Sequence, residues 1–198
     1  MALRKRVPET NEGIRDEVTI EQFDQLRRRL RDRGLMETKS LINSGVRNGE
    51  ALEVGPGPGY LGLEWLDRTQ GTRLTALEIS SAMIERAQKN AREYGLQDRV
   101  SYVEGTALDM PFDDNRFDAV FTSDSLHEWE DPLRVMAEVH RVLKPGGRFF
   151  ISDLRRDMLT PLRWLMYWTT KPQAIRSGLI SSINAAYTPR ELESMVVT

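Results

Sequence analysis

Residues 51–62, Ala-Leu-Glu-Val-Gly-Pro-Gly-Pro-Gly-Tyr-Leu-Gly, leave the backbone few options. A short apolar run carrying one acid, Glu53, ends in a turn with glycines at 55, 57 and 59, and residues 60–68 then follow a helical pattern. Glycine permits positive φ and lets a ligand approach the main chain where a Cβ would otherwise stand. A strand that feeds a glycine turn and then a helix gathers free N–H groups and the positive end of a helix dipole, which suits an anionic or polar ligand. The segment points to a nucleotide-like cofactor.

Two registers fit the turn. Gly57, Gly59 and Gly62 satisfy the dinucleotide fingerprint G-x-G-x-x-G, and Glu78 follows about 20 residues on, where an acid would hold a ribose. In that register the chain reads as an NAD-dependent oxidoreductase. The other register, Glu53-Val-Gly55-x-Gly57-x-Gly59, resembles the first motif of class I S-adenosylmethionine-dependent methyltransferases. Both arrangements place an acid at the end of the second strand, so Glu78 does not separate them.

The rest of the chain alternates strand and helix patterns, which implies an α/β fold. Thr19-Ile-Glu-Gln22 reads as a capping box that opens an Arg-rich helix closed by Gly34. A second short helix is predicted within 36–45, then strand 50–54, helix 60–68 and strand 74–79. Ser80 or Ser81 caps a helix that ends at Gly95. Strand 100–103 leads into a loop of small and apolar residues, 105–112, that would suit a flat ring. Strand 117–121 is apolar enough to be covered on both faces. Asp131-Pro132 opens a helix running to Lys144, and residues 148–153 form a fifth strand. Parallel right-handed crossovers would make this a doubly wound sheet.

Taken together, Glu53-x-Gly55-x-Gly57-x-Gly59, Glu78, Gly105-Thr-Ala107 with Met110-Pro-Phe112, Phe117-Asp118 through His127, and Val142-Leu-Lys-Pro-Gly-Gly147 resemble the small-molecule branch of the class I methyltransferases. That branch includes the ubiquinone and menaquinone biosynthesis enzymes. The likeness covers about residues 35–153. A dehydrogenase fingerprint does not predict Leu-Lys-Pro-Gly-Gly before the fifth strand or the Met-Pro-Phe loop, so the methyltransferase register is preferred over the oxidoreductase. The resemblance implies a mostly parallel Rossmann-like sheet with helices on both faces, and S-adenosyl-L-methionine as cofactor. It implies that Gly55, Gly57 and Gly59 admit the methionine portion, that Glu53 lies near its ammonium, and that Glu78 takes the ribose hydroxyls. Ile79 would pack on the adenine, Thr106 and Ala107 would meet its edge, and Met110 would close that pocket. Ser123 would face the reacting methyl. His127, just after the fourth strand, is the candidate general base, with a brace for its loop as the alternative; His140 is read as structural.

Composition excludes several classes. There is no cysteine, so disulfides, thiolate metal sites and cysteine nucleophiles are out, and two histidines make no histidine-rich metal site. No metal is expected. No apolar run reaches the length of a membrane span, and the first ten residues lack the apolar core of a signal peptide, so the expected location is cytoplasmic. Residues 1–34 hold nine Lys/Arg and seven Asp/Glu, five of the arginines between Arg27 and Arg33. Ile20, Phe23, Leu26 and Leu30 make that stretch an amphipathic helix with a solvated basic face rather than a nucleic-acid footprint. No Asn-Pro-Pro-aromatic motif follows the fourth strand, which argues further against a nucleic-acid substrate.

The chain divides into an N-terminal arm and Arg-rich helix (1–34), a cofactor-binding domain (35–153), and a substrate-cover segment with a C-terminal helix (154–198). Residues 1–18 are expected to be poorly ordered. Eight large apolar side chains between Met158 and Trp168 predict a helix buried on most sides or lining a pocket for an apolar or aromatic acceptor. Two features depart from the family. Many relatives carry Asp at the position of Thr106, which implies one weaker hydrogen bond to adenine. The family continues into two more strands, whereas here the capping box at Thr188 opens a helix and the sequence ends at Thr198. The C-terminal strands are therefore expected to be missing, leaving the fifth strand as an open edge where a homodimer would form, or a product of reduced activity. The non-enzyme alternative is a protein that binds the cofactor, or a partner, without chemistry.

Overall fold

The apolar runs form one five-stranded sheet in a computed structural model of the chain, which describes residues 5–9 and 13–196. The strands are β1 (Glu50–Val54), β2 (Arg73–Glu78), β3 (Val100–Glu104), β4 (Phe117–Ser123) and β5 (Leu143–Ser152), in the order β3-β2-β1-β4-β5. All four pairings are parallel. The α/β, doubly wound, Rossmann-like architecture is the expected one. Three helices make crossovers: α3 (Tyr60–Arg68), α4 (Ser81–Tyr94) and α5 (Pro132–Val142). The connection from β3 to β4 is a loop. Before the sheet lie α1 (Glu17–Asp32) and α2 (Thr38–Asn43); after it come α6 (Thr160–Thr169), α7 (Arg176–Ala185) and α8 (Pro189–Val196).

Period-2 alternation sorts the strands' side chains onto two covered faces. Leu52, Val54, Leu77, Phe117 and Val120 join Val135 and Val139 of α5 in one core cluster. Ala51, Leu74, Ala119 and Phe121 join Tyr60, Leu61 and Trp65 of α3 in the other. Each large side chain fully withdrawn from water contributes about 1.5–3 kcal/mol, so these two layers dominate stability. Trp65 keeps its one donor satisfied by giving Nε1–H to the Val46 carbonyl at 2.7 Å.

Helix ends follow local chemistry, with corrections. Ser80 accepts from the Met83 N–H and Gly95 closes α4 in the left-handed region, as expected. Asp131 accepts from the Arg134 N–H ahead of Pro132. The N-cap of α1, however, is Asp16, whose side chain accepts from the Thr19 N–H, so the helix opens three residues before the Thr19 capping box. Asp16 has the better acceptor and leaves Thr19 inside the first turn. The fifth strand begins at Leu143 rather than Arg148, and α5 ends at Val142 rather than Lys144. Phe117 pairs with Leu143 and Ala119 with Arg148, so Lys144-Pro-Gly-Gly147 bulges out of register instead of forming a separate turn. The capping box at Thr188 is present: its N–H and hydroxyl donate to Glu191, whose own N–H donates back.

Two further expectations change. The described part of residues 5–18 is tied down rather than loose: the Val7 N–H donates to the Asn184 carbonyl and the Ser80 hydroxyl to the Ile14 carbonyl. Residues 1–4 and 10–12 lie outside the described residues. The apolar helix α6 buries none of its residues, and Leu159 and Trp168 are 76% and 62% exposed. Its apolar residues spread around the helix, wider than its packing partner α7 can cover. No helix among the described residues is long and apolar enough to cross a membrane.

Candidate functional site

Strand order reverses between β1 and β4, and the crevice beyond their carboxyl ends is where open parallel sheets take ligands. After β1 the chain turns through Gly55, Gly57 and Gly59 with φ of 67°, 53° and 83°. Here glycine is required twice over. The backbone is left-handed, and a Cβ at 55 would lie 2.5 Å from Ser125 Oγ. The Gly55 N–H donates to the Leu77 carbonyl at 2.9 Å, which ties the turn to β2.

Glu78 ends β2 and is buried. Its carboxylate accepts from the N–H groups of Gly57 (3.1 Å), Ile79 (3.0 Å) and Ser80 (3.1 Å). The sequence-predicted acid and glycine turn thus converge. Burial raises the Glu78 pKa, while the three amides oppose it. Ile79, next in the chain, is partly open and lies against the arm at Gly13.

Glu53 lies behind the turn rather than on its open side. It is 3% exposed, and a Cβ at Gly62 would sit 2.2 Å from its Oε2, so the carboxylate occupies space that only glycine in α3 leaves. Burial pushes its pKa up to about 8, against the Arg27 charge and the Gly62 amide. Among the described residues its Oε2 has no hydrogen-bond partner.

The loop after β3 is fastened at both ends. The Gly105 N–H donates to the Glu78 carbonyl. Thr106 Oγ1 accepts from the Leu108 N–H at 3.2 Å, so the hydroxyl is partly engaged within the loop. Ala107 is half-buried against the core. Met110 is buried in that core, its N–H held by Glu138 and its carbonyl by Arg141, both on α5.

Ser123, at the end of β4, donates to Glu37 at 3.3 Å. Arg27 of α1 pairs with Asp124, the next residue, which adopts a φ of 54°. Burial and then the charge of Asp124 raise the pKa of Glu37. His127, in the 3-10 turn Leu126–Glu128, is 3% exposed. Asp153, just past β5, accepts from its backbone N–H at 2.8 Å and contacts its ring Nδ1 at 2.7 Å. Burial disfavours the charged ring, but Asp153, with Glu128 and Glu9, outweighs that and raises the His127 pKa. His140 is exposed on α5, away from these contacts.

Gly55, Gly57, Glu78 and Ser123 thus stand at the carboxyl ends of β1, β2 and β4, with Ile79 following β2 and Thr106 and Ala107 following β3. Met110 and Glu53 sit in the packed layers behind. Sequence reasoning missed Phe23, Arg27, Glu37, Asp124 and Asp153. Asp124 and Asp153 carried the signal used for Glu78, an acid at the end of an apolar strand. Nothing local marked Phe23 and Arg27, which reach the site through the tertiary placement of α1.

Comparisons with known proteins agree on the architecture. A methyltransferase domain family model matches residues 52–151. Ubiquinone/menaquinone biosynthesis C-methyltransferase UbiE of Paracoccus denitrificans is 32% identical over 114 residues, 58% of this chain and 46% of that protein. Methyltransferase GfsG of Streptomyces halstedii is 36% identical over 105 residues, 53% of this chain and 37% of that protein. The chain thus spans less than half the length of these curated relatives. Among solved structures, a SAM-dependent methyltransferase from Aquifex aeolicus superposes with a TM-score of 0.70 at 22% identity, covering 91% of this chain and 86% of the other, a likeness of fold.

Proposed function

This chain belongs to the methyltransferase domain family, and on that premise we propose that it transfers a methyl group from S-adenosylmethionine to a small-molecule acceptor. One observation carries the reading: the Glu78 carboxylate at the end of β2 reaches the Gly57 amide in the turn after β1. A buried carboxylate acceptor thereby stands beside backbone built from glycine, as a ribose with a polar tail needs. Glu53 Oε2, buried and without a hydrogen-bond partner among the described residues, lies on the α3 side of the turn, so any effect on the cofactor would pass through the turn rather than by contact.

S-adenosylmethionine, when bound, supplies a methyl group already activated by its sulfonium. The chain's own residues have to bind, align and keep out water. In this reading Gly55, Gly57 and Gly59 admit the backbone approach, and Glu78 takes the ribose hydroxyls. Ile79 covers one face of the adenine, Thr106 and Ala107 meet its edge, and Met110 backs that wall. Ser123 faces the reacting end, and Glu53 behind the turn becomes negative only as pH rises past about 8. Alignment of acceptor and donor is the main lever, since orientation alone is worth about 7–11 kcal/mol in favourable cases. Phe23 of α1 lies over Gly57 and Gly13 of the arm lies against Ile79, so these two would shield a bound cofactor from solvent. Asp153 holds both the ring and the backbone of His127, so we assign His127 to bracing the loop after β4 rather than to removing a proton.

The likeness to a C-methyltransferase of ubiquinone/menaquinone biosynthesis supports an apolar, aromatic acceptor, and the exposed Leu162, Trp164 and Leu165 of α6 are the surface to meet it. A cytoplasmic location is part of this proposal, as is a homodimer paired along β5, which has one strand neighbour among the described residues. A second reading, a family member that binds a partner rather than the cofactor and transfers nothing, is favoured by Phe23, which lies over Gly57.

Calorimetric titration with S-adenosylmethionine and S-adenosylhomocysteine, with NAD as control, tests the proposal. Micromolar binding of the first two and none of NAD is expected; absence of binding to either overturns it. A labelled-methyl screen over quinols, phenols and amines then separates transfer from binding alone.

A further inference from the structure

Glu9 of the N-terminal arm, His127 and Glu128 bring three ligand atoms within 4.8 Å of one another. We propose that this cluster is a divalent-cation site, with His127 Nε2 and one carboxylate oxygen from each glutamate as ligands and Asp153 as the orienting partner. It stands whether or not the chain transfers methyl groups.

Three observations support the site. The first is spacing. His127 Nε2 and Glu9 Oε2 are 3.6 Å apart, too far for a hydrogen bond. Two ligands of a tetrahedral ion with bonds of about 2.1 Å lie about 3.4 Å apart, so little movement closes the shell.

The second is orientation. Asp153 occupies Nδ1 at 2.7 Å and also holds the His127 backbone N–H. That leaves Nε2 facing the glutamates, the carboxylate–histidine–metal arrangement that fixes tautomer and ring direction at metal sites.

The third is charge. Glu9, Glu128 and Asp153 surround a single imidazole, so even a protonated ring leaves the cluster negative. Arg6 is already engaged with the carbonyls of Ala185 and His127 and with the Tyr187 ring. One imidazole with two carboxylates suits Zn²⁺ or Mn²⁺ rather than a soft ion, and three protein ligands leave a position for solvent or a small ligand. Because the ion and a proton compete for Nε2, binding should tighten as pH rises.

The test is calorimetric titration of the chelator-stripped full chain with Zn²⁺ and separately with Mn²⁺, with Mn²⁺ followed in parallel by loss of its free-ion resonance. We expect one ion per chain, affinity that rises between mildly acidic and neutral pH, and unchanged binding in His140→Gln. Asp153→Asn should weaken binding by about 10–100-fold. His127→Asn should abolish it, and Glu9→Gln, on the arm and outside the core, should weaken it at least tenfold while melting like the parent. Failure of the parent to bind either ion at millimolar concentration overturns the site. So does parental affinity in Glu9→Gln, which would leave the cluster as an ion network around protonated His127.

Discussion

The ring of Phe23 lies over Gly57: a Cβ built at position 57 would sit 3.2 Å from Phe23 Cε1. The N-terminal helix therefore presses on the turn that the proposed cofactor has to reach. At a φ of 53°, Gly57→Val is strained before any ligand arrives, at about 1–3 kcal/mol of stability. We expect it to abolish S-adenosylhomocysteine binding. Phe23→Ala in the same chain should recover part of the stability and none of the binding. Thermal melts and titrations of the two single variants and the double variant check this. Binding restored in the double variant would mean that valine acts by jamming Phe23, not by filling ligand space.

Glu78 holds three amides and is the proposed ribose acceptor, so its removal has two consequences. Glu78→Ala should weaken S-adenosylhomocysteine binding by about 1–3 kcal/mol and also lower the melting temperature, because the N–H groups of Gly57, Ile79 and Ser80 lose their acceptor. Glu78→Gln keeps one carbonyl oxygen. It should melt closer to the parent yet bind less tightly. Parental affinity in both variants would move the ribose to another residue.

Legibility in the sequence tracked how local the signal was. The turn at 55–59, helix 60–68 and the caps at Ser80 and Asp131 were readable because glycine, serine and proline act within a few residues of themselves. The start of β5 was not, since Lys144-Pro-Gly-Gly147 looks like a turn until its neighbour β4 draws it into the sheet out of register. Alternation could have located Glu53: it shares a face with Ala51, which packs beneath α3, not with Leu52 and Val54. Arg27 could not have been singled out from its four neighbouring arginines. Only the placement of α1 against Asp124 distinguishes it.

Arg27 and Asp124 join α1 to the end of β4, with side chains 10% and 27% exposed. Their coupling should exceed the 0–1 kcal/mol of a surface pair. Replacing Arg27 with leucine leaves the carboxylates of Asp124 and Glu37 facing each other, with an expected loss of about 1–3 kcal/mol in urea unfolding. Asp124→Asn should cost less in the leucine background than in the parent. Additive losses across the double-mutant cycle would show that the pair contributes nothing of its own.

Glu53 predicts a pH dependence whose sign is fixed by its burial. Its folded pKa is about 8, whereas an unfolded glutamate titrates near 4.3. Well below the lower value both states are protonated and the residue is neutral in the balance. Between the two values the native state binds more protons than the unfolded one, so stability falls as pH rises, and the penalty is complete above about 8. Glu53→Gln removes the titration while keeping the shape. Parent and variant should therefore unfold at similar urea concentrations near the unfolded pKa. They should diverge toward alkaline pH, the variant gaining more than about 1 kcal/mol, at 1.36 kcal/mol per unit of pKa difference. Above about pH 8, where the parent carboxylate is ionised, the same substitution removes a negative charge behind the glycine turn, so S-adenosylhomocysteine should bind more weakly there although the variant is the more stable protein. Parallel stability curves across the whole range would mean that Glu53 is already ionised in the folded chain, with a cation or donor satisfying Oε2.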